Sequence, residues 1–188
     1  DNSISGFEFL SCIPGSVGGA IIMNSGCFNY EISNILISLN AIDYTGKVIE
    51  IKKKDINFYY RGSNLSKDLI ITSAKFKGLK SSMELIKAKQ DYLINKKDKA
   101  QPSKIKTCGS TFKNSEKFKA WELIEKSKCK SLTIGDAQIS EKHCNFFVNN
   151  GNAKAADVEE LISKVKKKVF ETTGVKLELE IKVIGKNK

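Results

Sequence analysis

Residues 155–184 read AADVEELISKVKKKVFETTGVKLELEIKVI. Two periodicities meet inside this stretch. Over 155–172, Val158, Leu161, Ile162, Val165, Val169 and Phe170 recur at helical spacing, so one apolar stripe faces a core. Gly174 supplies the stop, because a left-handed residue just past a helix favours glycine. From Lys176 to Ile184 the period drops to two. Leu177, Leu179, Ile181 and Val183 face one way, and Glu178, Glu180 and Lys182 the other, as in a strand. An amphipathic helix followed by an alternating strand, with no internal repeat in the chain, predicts an α+β class.

The same reading extends backwards. Phe146–Val148 is a short strand, and Leu132–Ile139 carries Gly135. A helix capped by Asn114 or Ser115 is expected to bury Phe118, Trp121, Leu123 and Ile124. Residues 98–104 are polar and precede a Gly-containing loop, so the chain is expected to fold as two lobes, 1–100 and 101–188. In the first lobe a helix is predicted over 82–97 and a strand over Leu69–Phe76. Ile35–Tyr44 and Val48–Ile51 flank the turn residues Thr45-Gly46, a hairpin signal. Nearest the start, Ser11–Ala20 is a dense run of small residues leading into a helix or buried turn through Met23-Asn24-Ser25-Gly26.

Composition narrows the class. Of 188 residues, 40% are hydrophobic and 28% charged, the balance of a soluble globular protein. No apolar run approaches the roughly 20 residues of a membrane span, and the first residues lack a signal-peptide pattern. Five scattered cysteines form no CxxC pair, which points to reduced thiols in a cytoplasm and to no metal site. The net charge of +11 raises the possibility of nucleic-acid binding. The basic residues, however, are Lys apart from Arg61, and runs such as Lys52–Lys54 and Lys166–Lys168 lie far apart without interleaved aromatics. Solvated faces are the better reading, and no nucleic-acid partner is expected.

Five segments could carry chemistry. The run Pro14-Gly15-Ser16-Val17-Gly18-Gly19 lets backbone approach a ligand, although it matches no common nucleotide fingerprint and also suits a tight core turn. Tyr59-Tyr60-Arg61-Gly62 places the single Arg beside aromatics, either to hold a carboxylate or phosphate or to cover apolar surface with its stem. Ser110, after Gly109, could donate a proton or merely cap a helix. No Gly-x-Ser-x-Gly elbow or His pairing supports a hydrolytic Ser. His143-Cys144 has too few neighbours for zinc. Glu180 sits on the polar side of its strand and acquires a role only if that side lines a cleft.

The order and spelling of these segments carry more than any one alone. FLSCIPGSVGGAIIMNSGC, YYRGS, TCGSTFKN, AWELIE, IGDAQISEKHCNFFVNNGNAKAADV and GVKLELEIKVIG together closely resemble the UDP-N-acetylenolpyruvoylglucosamine reductases, the MurB family, from about Gly6 to Gly185. The resemblance implies part of a PCMH-type FAD-binding domain followed by a substrate-binding domain, the last strand belonging either to that domain or packed back on the flavin side. It implies NADPH and FAD as cofactors and UDP-N-acetylglucosamine enolpyruvate as substrate. The family's N-terminal flavin-binding lobe has no counterpart here, so the chain resembles a fragment. By itself it would be either a reductase completed by that lobe or a flavin-free, inactive UDP-sugar-binding module.

Residue by residue, the resemblance assigns Pro14, Gly15, Ser16, Val17, Gly18 and Gly19 to FAD. It assigns Tyr60, Lys113, Asn114 and His143 to the UDP-sugar. Arg61 would hold the substrate carboxylate, Glu180 would polarise the same end, and Ser110 would deliver a proton to the carbon beside it. Two departures from the family pattern touch these positions: Cys108 stands where Gly is usual, and Leu179 where Pro is usual. Cys108 would matter if that position required positive φ.

Overall fold

The hairpin read at 35–51 forms the middle of the first half of the chain. The coordinates are a computed structural model describing residues 2–103 and 105–185; Lys104, in the polar stretch, lies outside the described residues. The chain divides after Lys97 into two compact units. In the first, β1 (Ile4–Ser5) leads through a 3-10 turn at Glu8–Cys12 to α1 (Val17–Ile22). A small hairpin of β2 (Gly26–Cys27) and β3 (Tyr30–Glu31) precedes α2 (Ile32–Ile35). Next come β4 (Leu36–Ile42) and β5 (Val48–Lys52), then a second small hairpin, β6 (Phe58–Tyr59) and β7 (Gly62–Ser63). β8 (Ile70–Phe76), β9 (Leu79–Lys80) and the helix α3 (Met83–Ala100) follow.

β4 is central in an antiparallel sheet of order β5-β4-β8, and β1 pairs with β9. Alternation along β4 sends Leu39 and Ala41 into a core with Phe9, Ile21, Ile32 and Ile35. Leu93 of α3 joins that cluster. Glu8 is buried beside it, accepting from Ser5 and from the Gly6 N–H (2.9 Å) and pairing with Lys89 of α3 at 3.5 Å. Burial by itself would raise the pKa of this carboxyl. The bonds from Ser5 and Gly6 and the Lys89 charge outweigh burial and hold it below the usual carboxylate value.

The second unit carries β10 (Lys106–Ser110), α4 (Ala120–Lys126), β11 (Thr133–Ile134), β12 (Ala137–Ile139), β13 (Phe146–Asn149) and α5 (Ala155–Thr173). Its antiparallel sheet runs β10-β13-β12-β11. The α5 stripe of Leu161, Ile162, Val165 and Val169 is buried with Phe112, Ile124, Ile139 and Phe147. Gly174 ends α5 in the left-handed conformation (φ 71°).

Three expectations need correction. Trp121 is 38% exposed rather than buried, because α4 starts only at Ala120 and turns Leu123 and Ile124 inward instead. Phe170 also lies outside the α5 core face. Residues 176–184 do not form a full strand. Their backbone pairs with the rest of the unit at one antiparallel bridge, Phe112↔Leu179, flanked by Glu180 N–H donating to the Thr111 carbonyl (2.9 Å) and Lys113 N–H donating to the Glu178 carbonyl (2.8 Å), while Leu177, Leu179 and Ile181 pack against the core. The alternation is real, since Leu177 is buried and Glu178 exposed, but backbone pairing among the described residues is confined to 178–180, and Val183 and Ile184 are exposed.

Candidate functional site

The small-residue run forms one wall of a cavity in the first unit. Ser16 caps α1, its Oγ accepting from the Gly19 N–H at 3.1 Å. Gly15 before it has φ 139°, a conformation open mainly to glycine, and no atom stands within 4 Å of where its Cβ would be. Pro14, Gly15, Ser16, Val17 and Gly19 line a space of about 370 Å³ together with Ile13, Ala20, Met23, Ile32 and Phe76. Gly18 turns away, packing close to Ile71 of β8. A largely apolar space with a bare backbone edge can take a flat aromatic ring system bearing polar edges.

Beyond α1 the chain reaches Asn24, buried with φ 41°. Its Nδ2 donates to Glu31 Oε2 (2.7 Å) and to the Tyr59 carbonyl (3.3 Å), and its Oδ1 accepts from the Ser33 N–H (3.0 Å). Ser63 Oγ adds a bond to the Ile22 carbonyl (3.0 Å). The β6–β7 hairpin is thereby tied to the end of α1. Its two-residue turn is Tyr60-Arg61, with β-pairing closed at Tyr59↔Gly62. Arg61 holds φ 56°, a left-handed conformation that costs a non-glycine residue about 1 kcal/mol. Its guanidinium lies 4.7 Å from the centre of the Tyr60 ring.

In the second unit Ser110 ends β10 opposite Phe146 of β13, just past a register shift. Gly109 absorbs the positive φ there (84°), and Cys108 keeps a negative one, so the Cys at that position carries no backbone strain. Glu180 lies on the neighbouring segment, its N–H bonded to the carbonyl of Thr111, the residue after Ser110. Both side chains are half-buried. Lys113 Nζ is 3.7 Å from Glu178 at an exposed position, a pair of small energetic weight. Asn114 Oδ1 accepts from the Ala120 N–H at 3.0 Å and so orders the loop before α4.

His143 precedes β13. Its ring meets Phe146 edge-on (4.8 Å) and Trp121 (6.4 Å), and its Nδ1 accepts from the Asn145 N–H at 3.2 Å. Burial holds its pKa below the ordinary histidine value. Cys27, Cys129 and Cys144 are poor nucleophiles by the same physics. Burial, then the adjacent Cys12 thiol, pushes Cys27 up to about 11, and burial raises Cys129 and Cys144.

The structure thus brings Ser110 and Glu180 onto adjacent segments, and ties the Arg61 turn to the end of α1 through Asn24. Sequence reasoning missed Asn24, Glu8 and Asn145. Two of them carried a weak signal: Asn24 precedes Ser-Gly, a turn spelling, and Asn145 interrupts an otherwise apolar CNFFV. Among the described residues no cluster of His, Cys, Asp or Glu could hold a metal ion, and no helix is long and apolar enough to cross a membrane.

Comparison with known proteins matches both units. Residues 101–184 fit the family model of the UDP-N-acetylenolpyruvoylglucosamine reductase C-terminal domain, and residues 1–52 fit that of an FAD binding domain. A UDP-N-acetylenolpyruvoylglucosamine reductase of Pelagibacter ubique is 50% identical over 187 residues, covering 98% of this chain and 62% of the relative. One from Rickettsia bellii is 49% identical over 185 residues, covering 98% and 61%. The crystal structure of the Thermus caldophilus reductase superposes with a TM-score of 0.82 at 34% identity, covering 95% of this chain and 64% of that one. The chain therefore spans about three-fifths of the length of the curated relatives it matches.

Proposed function

Because the chain belongs to the UDP-N-acetylenolpyruvoylglucosamine reductase family, we propose that it serves the NADPH-dependent, FAD-mediated reduction of UDP-N-acetylglucosamine enolpyruvate to UDP-N-acetylmuramate. The observation that carries the reading is the apolar cavity lined by Pro14, Gly15, Ser16, Val17 and Gly19 in a chain matched along 98% of its length by such reductases. The step belongs to peptidoglycan precursor synthesis, and a cytoplasmic setting suits NADPH, a nucleotide-sugar and five free thiols.

FAD, when bound, supplies the hydride drawn from NADPH. The chain's own residues do the rest. Hydride addition to the enolpyruvyl methylene puts negative charge on the carbon beside the carboxylate. The planar, permanently charged Arg61 fork binds that carboxylate and disperses the charge. Glu180 hydrogen-bonds the same end of the substrate. Ser110 gives the proton that completes the saturated ether. Each such group contributes roughly 10²–10³ in rate when correctly placed. Tyr60, Lys113, Asn114 and His143 hold the UDP-sugar.

The test is an absorbance spectrum of the purified chain with and without added FAD, followed by NADPH oxidation in the presence of the enolpyruvyl substrate. Flavin bands that survive gel filtration and substrate-dependent NADPH oxidation support the reading. UDP-sugar binding with no retained flavin would instead make the chain a binding module.

A further inference from the structure

Asn145 is 2% exposed and lies two residues after His143. Its Oδ1 accepts from the Phe112 N–H at 2.9 Å, and its Nδ2 donates to the Phe112 carbonyl at 2.8 Å. Its own carbonyl accepts from the Thr111 N–H at 2.8 Å. Three bonds therefore fasten residues 111–112 to one asparagine, just past the register shift between Thr107 and Ser110. On the opposite edge of the same two residues lie Leu179 and Glu180, bridged through Phe112 and Thr111.

We infer that Asn145 is a positioning residue for the reaction: a side-chain clamp that sets Ser110 and Glu180 relative to each other and to the His143 loop. The inference rests on the function proposed above. The amide fits this role better than any other side chain of its size, because at neutral pH it offers a donor and an acceptor side by side to the C=O and N–H of one residue. The clamp stands in for ladder hydrogen bonds that the register shift has interrupted. Buried at 2% exposure, Asn145 acts through the segment it holds.

Asn145→Ala and Asn145→Asp in the FAD-supplemented chain test this. With Ala, amide exchange at Thr111, Phe112, Lys113 and Glu180 should accelerate at least about tenfold, while Gln138 and Val148 stay protected. Turnover should fall about 10²-fold with KM changed less than about threefold, and the solvent isotope effect on turnover should rise as proton delivery becomes limiting. Asp mimics Asn only when neutral, so its exchange rates, relative to the unmodified chain at equal pH, should recover on acidification. Uniform acceleration across the unit, no acceleration at all, or lowered turnover with an unchanged isotope effect would overturn the inference. Localised exchange in a chain that never turns over would leave the clamp standing and remove the function it serves.

Discussion

The Asn24 side chain donates to the Tyr59 carbonyl across 35 residues of sequence, at 3.3 Å. Because the same amide also donates to Glu31 and accepts from the Ser33 N–H, the end of the glycine-rich helix and the Arg61 turn share one buried anchor. Asn24→Asp keeps the acceptor but loses both donors and sets a second carboxylate against Glu31. The expected cost is about 2–4 kcal/mol in urea unfolding. Adding Glu31→Gln supplies a new donor to Asp and should restore at least about 1 kcal/mol. Simple additivity of the two changes would show that Asn24 and Glu31 are not coupled.

Arg61 pays for its conformation with strain, and its substitutions should therefore separate stability from activity. Arg61→Gly relieves about 1 kcal/mol of left-handed backbone cost and removes the contacts of a half-buried Arg side chain, the Tyr60 cation–π contact of about 0.5–1 kcal/mol among them. The unfolding midpoint should move little while the substrate half-reaction collapses. Arg61→Lys should also impair that half-reaction, since an ammonium cannot form the bidentate fork, and should spare reduction of the bound flavin by NADPH. Stopped-flow traces with both half-reactions intact in Arg61→Lys would remove Arg61 from its proposed role.

Much of this fold was legible in periodicity. The 3.6-residue stripe of Leu161, Ile162, Val165 and Val169 and the alternation about Leu39 and Ala41 each match a buried face, because burial is what selects those spacings. The errors share a cause as well. Trp121 and Phe170 fit their helical patterns but sit at the edge of what each helix covers, and a pattern cannot reveal where a neighbouring element stops. Residues 176–184 alternate as a strand does, yet their pairing depends on how much free edge Phe112 and its neighbours offer. The candidate site was legible only through the family resemblance. What neither route could supply was the polar scaffolding: Asn24, Asn145 and Glu8 act through hydrogen bonds and an ion pair to residues 2 to 81 positions away, and one-dimensional spacing holds no trace of those partners.

Glu8 should shape the acid limb of stability. Its folded pKa lies below the reference value of 4.5, so the unfolded chain takes up a proton first as pH falls. Its contribution is complete above about pH 4.5 and disappears as pH drops through the folded value. Glu8→Gln should therefore be less stable than the unmodified chain at pH 7, and the two should converge on acidification below pH 4.5. Thermal midpoints recorded from pH 7 to 3 would settle it; a constant gap across the range would mean that Glu8 contributes by shape alone.

His143 acts in a higher window and can be isolated, because it is the chain's single histidine. Burial lowers its folded pKa beneath the reference value of 6.5. The unfolded chain again binds the proton first, so stability is full above about pH 6.5 and is lost as pH falls toward the folded value. His143→Gln keeps an acceptor near the Asn145 N–H but cannot titrate, and should flatten the stability profile between pH 7 and 5 while leaving the steeper carboxylate limb below it. Trp121, the only tryptophan, lies 6.4 Å from the His143 ring, so its fluorescence in the folded chain should titrate with a midpoint below 6.5 and lose that step in His143→Gln. A midpoint above 6.5, or a step that survives the substitution, would place the histidine in a solvated setting and undo the burial on which its role in ordering the start of β13 depends.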